Sequence, residues 1–183
     1  HVGKTSVSLA LMSGLQKHSP DRVGFIRPVG QKSLSVKEDG SDIQVNADKD
    51  AVLIKRHFNL HRQSYRQSSP LLIPSGYTRD YLDGINNCSS AHQNALIQQA
   101  FDAIDAMSDV VLCEGTGHVA VGSIVDACNA DVAAMLGASI VLVTNGGLGK
   151  SFDELVLNAT LCHDAGVPIA GVIVNRVQVG KFE

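Results

Sequence analysis

The chain opens on residue types that commonly bind phosphate. Gly3-Lys4-Thr5 matches the closing half of the loop G-x-x-x-x-G-K-[ST], and an apolar pattern after it predicts a helix over residues 3–17. Backbone N–H groups and the dipole at a helix N-terminus favour phosphate. Lys4 could then reach the β- and γ-phosphates of a nucleotide, and the Thr5 hydroxyl could bind Mg²⁺. The alternative is a solvated lysine beside a capping threonine.

A carboxylate follows a predicted strand in the middle of the chain. Glu114 comes directly after the apolar run Val110-Val111-Leu112-Cys113, and Gly115-Thr116-Gly117 follows it. Open α/β sheets bind ligands at the carboxyl ends of their strands, where Glu114 could hold Mg²⁺ directly or through water. The glycines would let the backbone approach a phosphate or substrate closely. An ordinary turn glutamate is the alternative.

Three further polar residues stand where they could reach the same crevice. Asp50 begins a predicted helix and is a candidate Mg²⁺ ligand, or simply a helix cap. Arg27 ends the second predicted strand and could hold an anionic substrate or the γ-phosphate, or lie on the surface before a turn. Asn175 follows the last predicted strand, and its amide could pair with an adenine edge or form a turn.

A second glycine-rich segment resembles the first motif. Residues 146–151 read Gly-Gly-Leu-Gly-Lys-Ser and also follow a strand pattern, but Thr144 stands where the first glycine of a phosphate loop belongs. We therefore expect this segment to form a glycine-rich wall of the crevice rather than the main phosphate loop.

Alternating apolar runs and amphipathic patterns must position these residues. Continuous apolar runs, without polar alternation, are typical of parallel strands covered by helices on both faces. The predicted strands are residues 23–26, 110–113, 139–143 and 169–174, and the predicted helices are residues 3–17, 50–59, 91–107 and 131–136. A last helix is predicted from Ser151 until Gly166 and Pro168 end it. Residues 31–49 are expected to be a polar surface loop, and residues 60–90 to be irregular. Ser151 and Glu154 suggest a capping box, with a core face after it comprising Phe152, Leu155, Val156, Ala159 and Cys162.

Composition excludes several classes of function. The sequence has 183 residues and a net charge of −3, which gives no electrostatic case for binding nucleic acid or an anionic membrane. No apolar run is long enough to span a bilayer. The four cysteines are scattered without a C-x-x-C pair, so we expect reduced thiols and a cytoplasmic protein.

Taken in order, these motifs resemble one family, the dethiobiotin synthetase-like P-loop domains. The resemblance is greatest to the version at the N-terminus of long bacterial phosphate acetyltransferases and to related stand-alone proteins. It covers nearly the whole chain, and the blocks that carry it are residues 2–6, 22–31, 48–53, 111–118, 125–138, 142–149 and 171–177.

The resemblance implies a single three-layer α/β/α P-loop NTPase domain over residues 1–183, with a mainly parallel sheet. Because the opening glycine of the phosphate loop would precede His1, we expect a fragment that lacks its first strand and is truncated at both ends. ATP and Mg²⁺ are the implied cofactors. The implied nucleotide contacts are Gly3, Lys4, Thr5, Ser6, Gly115, Thr116, Gly117 and Asn175, and the implied metal ligands are Thr5, Asp50 and Glu114.

The resemblance leaves the activity open among three functions. Arg27 stands where the family usually has a substrate-binding lysine, and arginine keeps its proton and is bulkier and more planar. This difference favours a regulatory ATP-binding domain that acts on an attached or partner acyltransferase. An ATP-dependent ligase, with Lys4 and Arg27 as its catalytic residues, is the second expectation. A scaffold that binds a partner protein and keeps only a vestigial nucleotide site is the third. A homo-oligomer is also expected.

Overall fold

The computed structural model describes residues 2–86, 88–147, 149–178 and 180. His1 and Leu148, which belong to the two glycine-lysine motifs, lie outside them. The helices are α1 Lys4–His18, α2 Lys49–His57, α3 Tyr65–Ser68, α4 Tyr77–Asp83, α5 Ser90–Asp105, α6 Asn129–Met135 and α7 Lys150–Asp164, with a 3₁₀ turn at Ser123–Val125. The strands are β1 Val23–Ile26, β2 Val29–Gly30, β3 Ser33–Lys37, β4 Gln44–Asp48, β5 Leu71–Leu72, β6 Val110–Cys113, β7 Ile140–Asn145 and β8 Ile169–Asn175.

Strands β1 and β6 form a parallel pair that lies between helices. Val23 pairs with Val110 and Ile26 with Cys113, so both strands end at the same edge. One face packs against α1 and α2 through an apolar cluster whose buried members are Met12, Val23, Phe25, Ala51, Ile54 and Leu60. The opposite face packs against α5 through a second cluster, with Ile26, Ala100 and Ile104 buried. Because helices cover both faces, continuous apolar runs suit these strands, as the sequence predicts.

Strands β7 and β8 form a second parallel pair, joined by α7. Leu142 on β7 packs with Cys162 of α7 in a buried cluster. At the strand ends Asn145 pairs with Asn175. In the described part of the chain this pair is not hydrogen-bonded to β1 and β6, and β2 pairs in parallel with β5. The predicted α/β class with parallel strands is confirmed.

The polar segment after β2 is an antiparallel hairpin, so the expectation of a surface loop over residues 31–49 is wrong. Strands β3 and β4 pair from Ser33 with Asp48 to Lys37 with Gln44. Only Val36 of β3 is buried, whereas Val45, Ala47 and Asp48 are buried on β4. The one-sided apolar face, surrounded by serine, lysine and glutamine, explains why composition indicated a loop.

Two other local expectations also differ from the structure. Residues 60–90 contain α3, β5 and α4, so they are not irregular. Helix α7 begins at Lys150 with Gly149 at its cap and no side-chain cap hydrogen bond, so the capping box predicted from Ser151 and Glu154 is absent. A capping box occurs instead at α3, where Ser64 and Gln67 bond reciprocally.

The expected core face of α7 is only partly buried. Cys162 is fully buried, and Leu155 and Ala159 pack against its cluster. Phe152 and Val156, however, are 56% and 48% exposed. Helical periodicity gives the direction of an apolar stripe, but it does not show how much of the stripe another element covers.

The remaining sequence expectations concern cysteines and membranes. All four cysteines are free thiols. Within the described ranges, no helix combines the length and the apolar character needed to cross a bilayer.

Candidate nucleotide and metal site

The predicted functional residues gather at the carboxyl ends of the strands. Glu114 follows β6 and Arg27 follows β1, which is its parallel neighbour. The N-termini of α1 and α2 face the same place, since contacts join Thr5 to Glu114 and Arg27 to Asp50. Residues far apart in sequence therefore meet at one edge, where open α/β sheets bind ligands.

The first turn of α1 points at the segment after β6. The Lys4 ammonium donates to the Gly117 carbonyl oxygen at 2.6 Å, and the Thr5 hydroxyl donates to Glu114 Oε1 at 3.0 Å. Partial burial lowers the pKa of Lys4, and the nearby Glu114 opposes part of that shift. Ser6, the next residue of the turn, is exposed. The N–H groups of this turn have no acceptor within the helix, as at any helix N-terminus.

Arg27 lies inside a ring of three carboxylates. Its Nη1 is 2.6 Å from Glu114 Oε1, its Nε is 2.9 Å from Asp48 Oδ1, and its Nη2 is 3.5 Å from Asp50 Oδ2. Its side chain is only 9% exposed. The Nε–H is not aligned for a hydrogen bond to Asp48, so that contact is an ion pair. The surface arginine considered from sequence is excluded by this burial.

Asp48 is a site residue that sequence analysis did not identify. It is 1% exposed and caps α2 by accepting the Asp50 N–H at 2.9 Å. Its other oxygen accepts the N–H groups of Gln31 and Lys32, at 3.1 and 3.4 Å. Asp48 therefore holds the start of α2, where Asp50 lies, against the segment after Arg27. The capping preference of aspartate just before a helical pattern is the signal that could have identified it.

Asn129, at the start of α6, shapes the turn after Glu114 and was also missed. Its Oδ1 accepts the Thr116 N–H at 3.1 Å, and its Nδ2 donates to the carbonyls of Thr116 and His118, both at 2.7 Å. A β-carbon on Gly115 would lie 2.6 Å from Asn129 Oδ1, so only glycine fits there. The turn is thereby fixed with the Gly117 carbonyl towards Lys4.

Asn175 lies against the start of α1. Its Nδ2 donates to the Val2 carbonyl at 2.8 Å. Gly3 has φ of +85°, and a β-carbon there would lie 2.6 Å from the same Nδ2, so this position favours glycine for two reasons. The second glycine-rich segment is adjacent, because the Gly146 N–H donates to the Asn175 carbonyl at 2.7 Å.

The donors present fit a magnesium ion held together with a phosphate. Glu114 Oε2 is buried without a hydrogen-bond partner, and such an orphaned carboxylate oxygen suits a hard cation. Thr5 contacts the other oxygen of the same carboxylate. Among the described residues, no three His, Cys, Asp or Glu side chains form a cluster able to hold a metal alone. Mg²⁺ commonly binds one or two carboxylates plus substrate phosphates, which agrees with this sparse donor set.

The fold and site define a P-loop domain, and the comparison with protein families agrees. The AAA_26 model, described as an AAA domain, matches residues 1–181, and the chain belongs to that family. The family includes the P-loop domains of dethiobiotin synthetase type, so the resemblance recognised in the sequence is confirmed.

Curated proteins that match this chain include a phosphate acetyltransferase and two dethiobiotin synthetases. A phosphate acetyltransferase of Nitratidesulfovibrio vulgaris is 29% identical over 99% of this chain and 24% of its own length. An ATP-dependent dethiobiotin synthetase BioD of Anaeromyxobacter dehalogenans is 33% identical over 45% of this chain and 36% of its own. The corresponding synthetase of Corynebacterium efficiens is 43% identical over 38% of this chain and 31% of its own. The chain thus matches about a quarter to a third of these relatives.

Proposed function

We propose that this domain binds Mg·ATP at the N-terminus of α1. The observation that carries the proposal is the convergence of the Lys4 ammonium and the Thr5 hydroxyl on the Glu114–Gly117 segment, beside an unpartnered buried oxygen of Glu114. Lys4 would exchange the Gly117 carbonyl for a phosphate oxygen, a stronger, charge-assisted acceptor. Thr5, Asp50 and Glu114 would hold Mg²⁺, which would neutralise phosphate charge.

We further propose that nucleotide binding regulates an acyltransferase, attached or separate, in a cytoplasmic homo-oligomer. The phosphate acetyltransferase relative supports this proposal because its match extends over nearly the whole chain. The ion pairs of Arg27 also support the regulatory role. A guanidinium with all three nitrogens within 3.5 Å of carboxylate oxygens offers few donors to a substrate. Acetyl transfer by the intact protein should then change with ATP.

Replacing Lys4 tests the nucleotide site. Lys4→Ala in the intact protein should raise the Kd for Mg·ATP roughly 10- to 150-fold, since a hydrogen bond to a charged group contributes about 1.5–3 kcal/mol. Titration calorimetry measures the affinity. Lys17→Ala is the matched control, because Lys17 is exposed in the last turn of the same helix. Equal affinities for Lys4→Ala and the unsubstituted protein would refute the assignment.

An ATP-dependent ligase of the dethiobiotin or cobyrinate-amidating type is the second candidate. The two synthetase relatives, at 33% and 43% identity over their matched segments, favour it. In this function Lys4 and Arg27 would stabilise phosphate transferred to a carboxylate or carbamate. Phosphate release that depends on diaminopelargonate and bicarbonate would support the ligase and count against the regulatory role. No release across a panel of carboxylate substrates, combined with ATP-dependent acetyl transfer, would favour regulation.

A further inference from the structure

Arg27 lies against the carboxylates that are proposed to bind Mg²⁺. Glu114 and Asp50 are the carboxylates assigned to Mg²⁺, and both contact the guanidinium, at 2.6 and 3.5 Å. Glu114 Oε1 accepts from Arg27 Nη1 and from Thr5 together. A cation built into the chain therefore already stands at the carboxylates that a metal ion would need.

Two cations cannot share these carboxylates at close range without strong repulsion. Both the guanidinium and Glu114 are buried, where charges are screened less than at a surface. Arg27 has a second anchor, because Asp48 lies 2.9 Å from its Nε and is itself almost fully buried. The guanidinium can thus leave Glu114 and Asp50 while it stays paired with Asp48.

We infer that Arg27 is an internal competitor of the metal, which occupies Glu114 and Asp50 as their ion-pair partner until Mg²⁺ arrives with a nucleotide. The inference rests on the proposed function and adds a regulatory contact to it. Arginine suits the role better than lysine, since its planar fork can bridge three carboxylates whereas an ammonium is a single point charge. Metal binding without nucleotide should consequently be weak, and the weakness should depend on Arg27.

Mn²⁺ binding to the intact protein in the absence of nucleotide tests the inference, with electron paramagnetic resonance as the readout. Removing the guanidinium removes the repulsion between two cations at the same carboxylates, so Arg27→Gln should bind Mn²⁺ at least about tenfold more tightly than the unsubstituted protein. Arg22→Gln is the matched control, because Arg22 pairs with Asp109 at the surface, with both side chains about half exposed. Its affinity for Mn²⁺ should be unchanged.

A second variant covers the possibility that Arg27→Gln fails to fold. Arg27→Lys keeps one charge but cannot reach three carboxylates, so it should also bind Mn²⁺ more tightly, by a smaller factor. Affinities equal to or below that of the unsubstituted protein, in whichever variant folds, would overturn the inference. Measuring Mn²⁺ with ATP separates the two proposals. If Mn·ATP binds normally but the variants gain nothing without nucleotide, only the competition is wrong. If Mn²⁺ binds under neither condition, both proposals fail.

Discussion

Replacing Asp48 by asparagine changes the site with almost no change in side-chain shape. One oxygen accepts two backbone N–H groups, and the other accepts the N–H that starts α2 and pairs with Arg27. Asparagine has a single acceptor oxygen. Whichever way its amide turns, the NH₂ group faces donors that the aspartate satisfied.

The magnitude follows from the contacts that are lost. With the NH₂ towards Gln31 and Lys32, two backbone donors lose their acceptor, at about 1–3 kcal/mol for each that stays unsatisfied. Breaking a buried ion pair costs about 3–5 kcal/mol, but Arg27 keeps Glu114 and Asp50 as partners. Since these terms overlap, we expect Asp48→Asn to lower the free energy of unfolding by about 3–5 kcal/mol.

Urea unfolding followed by far-ultraviolet circular dichroism measures this change, because the sequence has no tryptophan for fluorescence. Asp42→Asn is the matched control. Asp42 pairs with Lys37 on the exposed side of the neighbouring hairpin, and its replacement should change stability by no more than about 0.5 kcal/mol. Hydrogen exchange should also accelerate at the amides of Gln31, Lys32 and Asp50. A loss below about 1 kcal/mol, with unchanged exchange at those amides, would refute the role given to Asp48.

Two further predictions concern packing and thiol chemistry. A β-carbon on Gly30 would lie 2.7 Å from Asp48 Cβ, so Gly30→Ala should destabilise the protein by about 1–3 kcal/mol in urea unfolding. Gly14→Ala should instead stabilise α1 by up to about 1 kcal/mol, because no atom apart from the neighbouring residues and the backbone of its own helix lies within 4 Å of the added β-carbon. A loss at Gly14 as large as at Gly30 would contradict the steric reason. Burial raises the pKa of Cys113 to about 12, so its thiolate forms only at very alkaline pH. Iodoacetamide at pH 8 should label it far more slowly in native than in urea-unfolded protein, and equal rates would count against this burial.

The parts of the fold that the sequence predicts are those with a strong local signal. Strands β1 and β6 are continuous apolar runs because both faces are covered, and α1 carries its apolar stripe at helical spacing. The hairpin of β3 and β4 was missed because backbone pairing stabilises it while most of its side chains are exposed. Such pairing depends on a partner strand several residues away, so the composition of a short stretch of sequence does not reveal it.

The candidate site shows the same division between local and distant signals. Lys4, Thr5 and Glu114 could be predicted because their motifs place them at a helix start and a strand end. Asn129 could not, since its hydrogen bonds reach backbone groups 11 to 13 residues away. Asp48 has a local signal only for its cap on α2, because the other N–H groups that it accepts lie 16 to 17 residues away. Those contacts exist only once β1, β6 and the helices have been brought together.

Under the proposed function, the charges of the site predict that metal and nucleotide bind together. Asp48, Asp50 and Glu114 face two basic side chains, Arg27 and Lys4, which leaves one formal negative charge in a largely buried cluster. A divalent ion alone would reverse that sign next to a guanidinium that has little water to screen it. The phosphates of a nucleotide supply the negative charge that balances the added metal ion. They also offer acceptors to Lys4 and to the first turn of α1. Movement of Arg27 away from Glu114 would then be favourable, because Mg²⁺ would take its place at that carboxylate while Asp48 still pairs with its Nε.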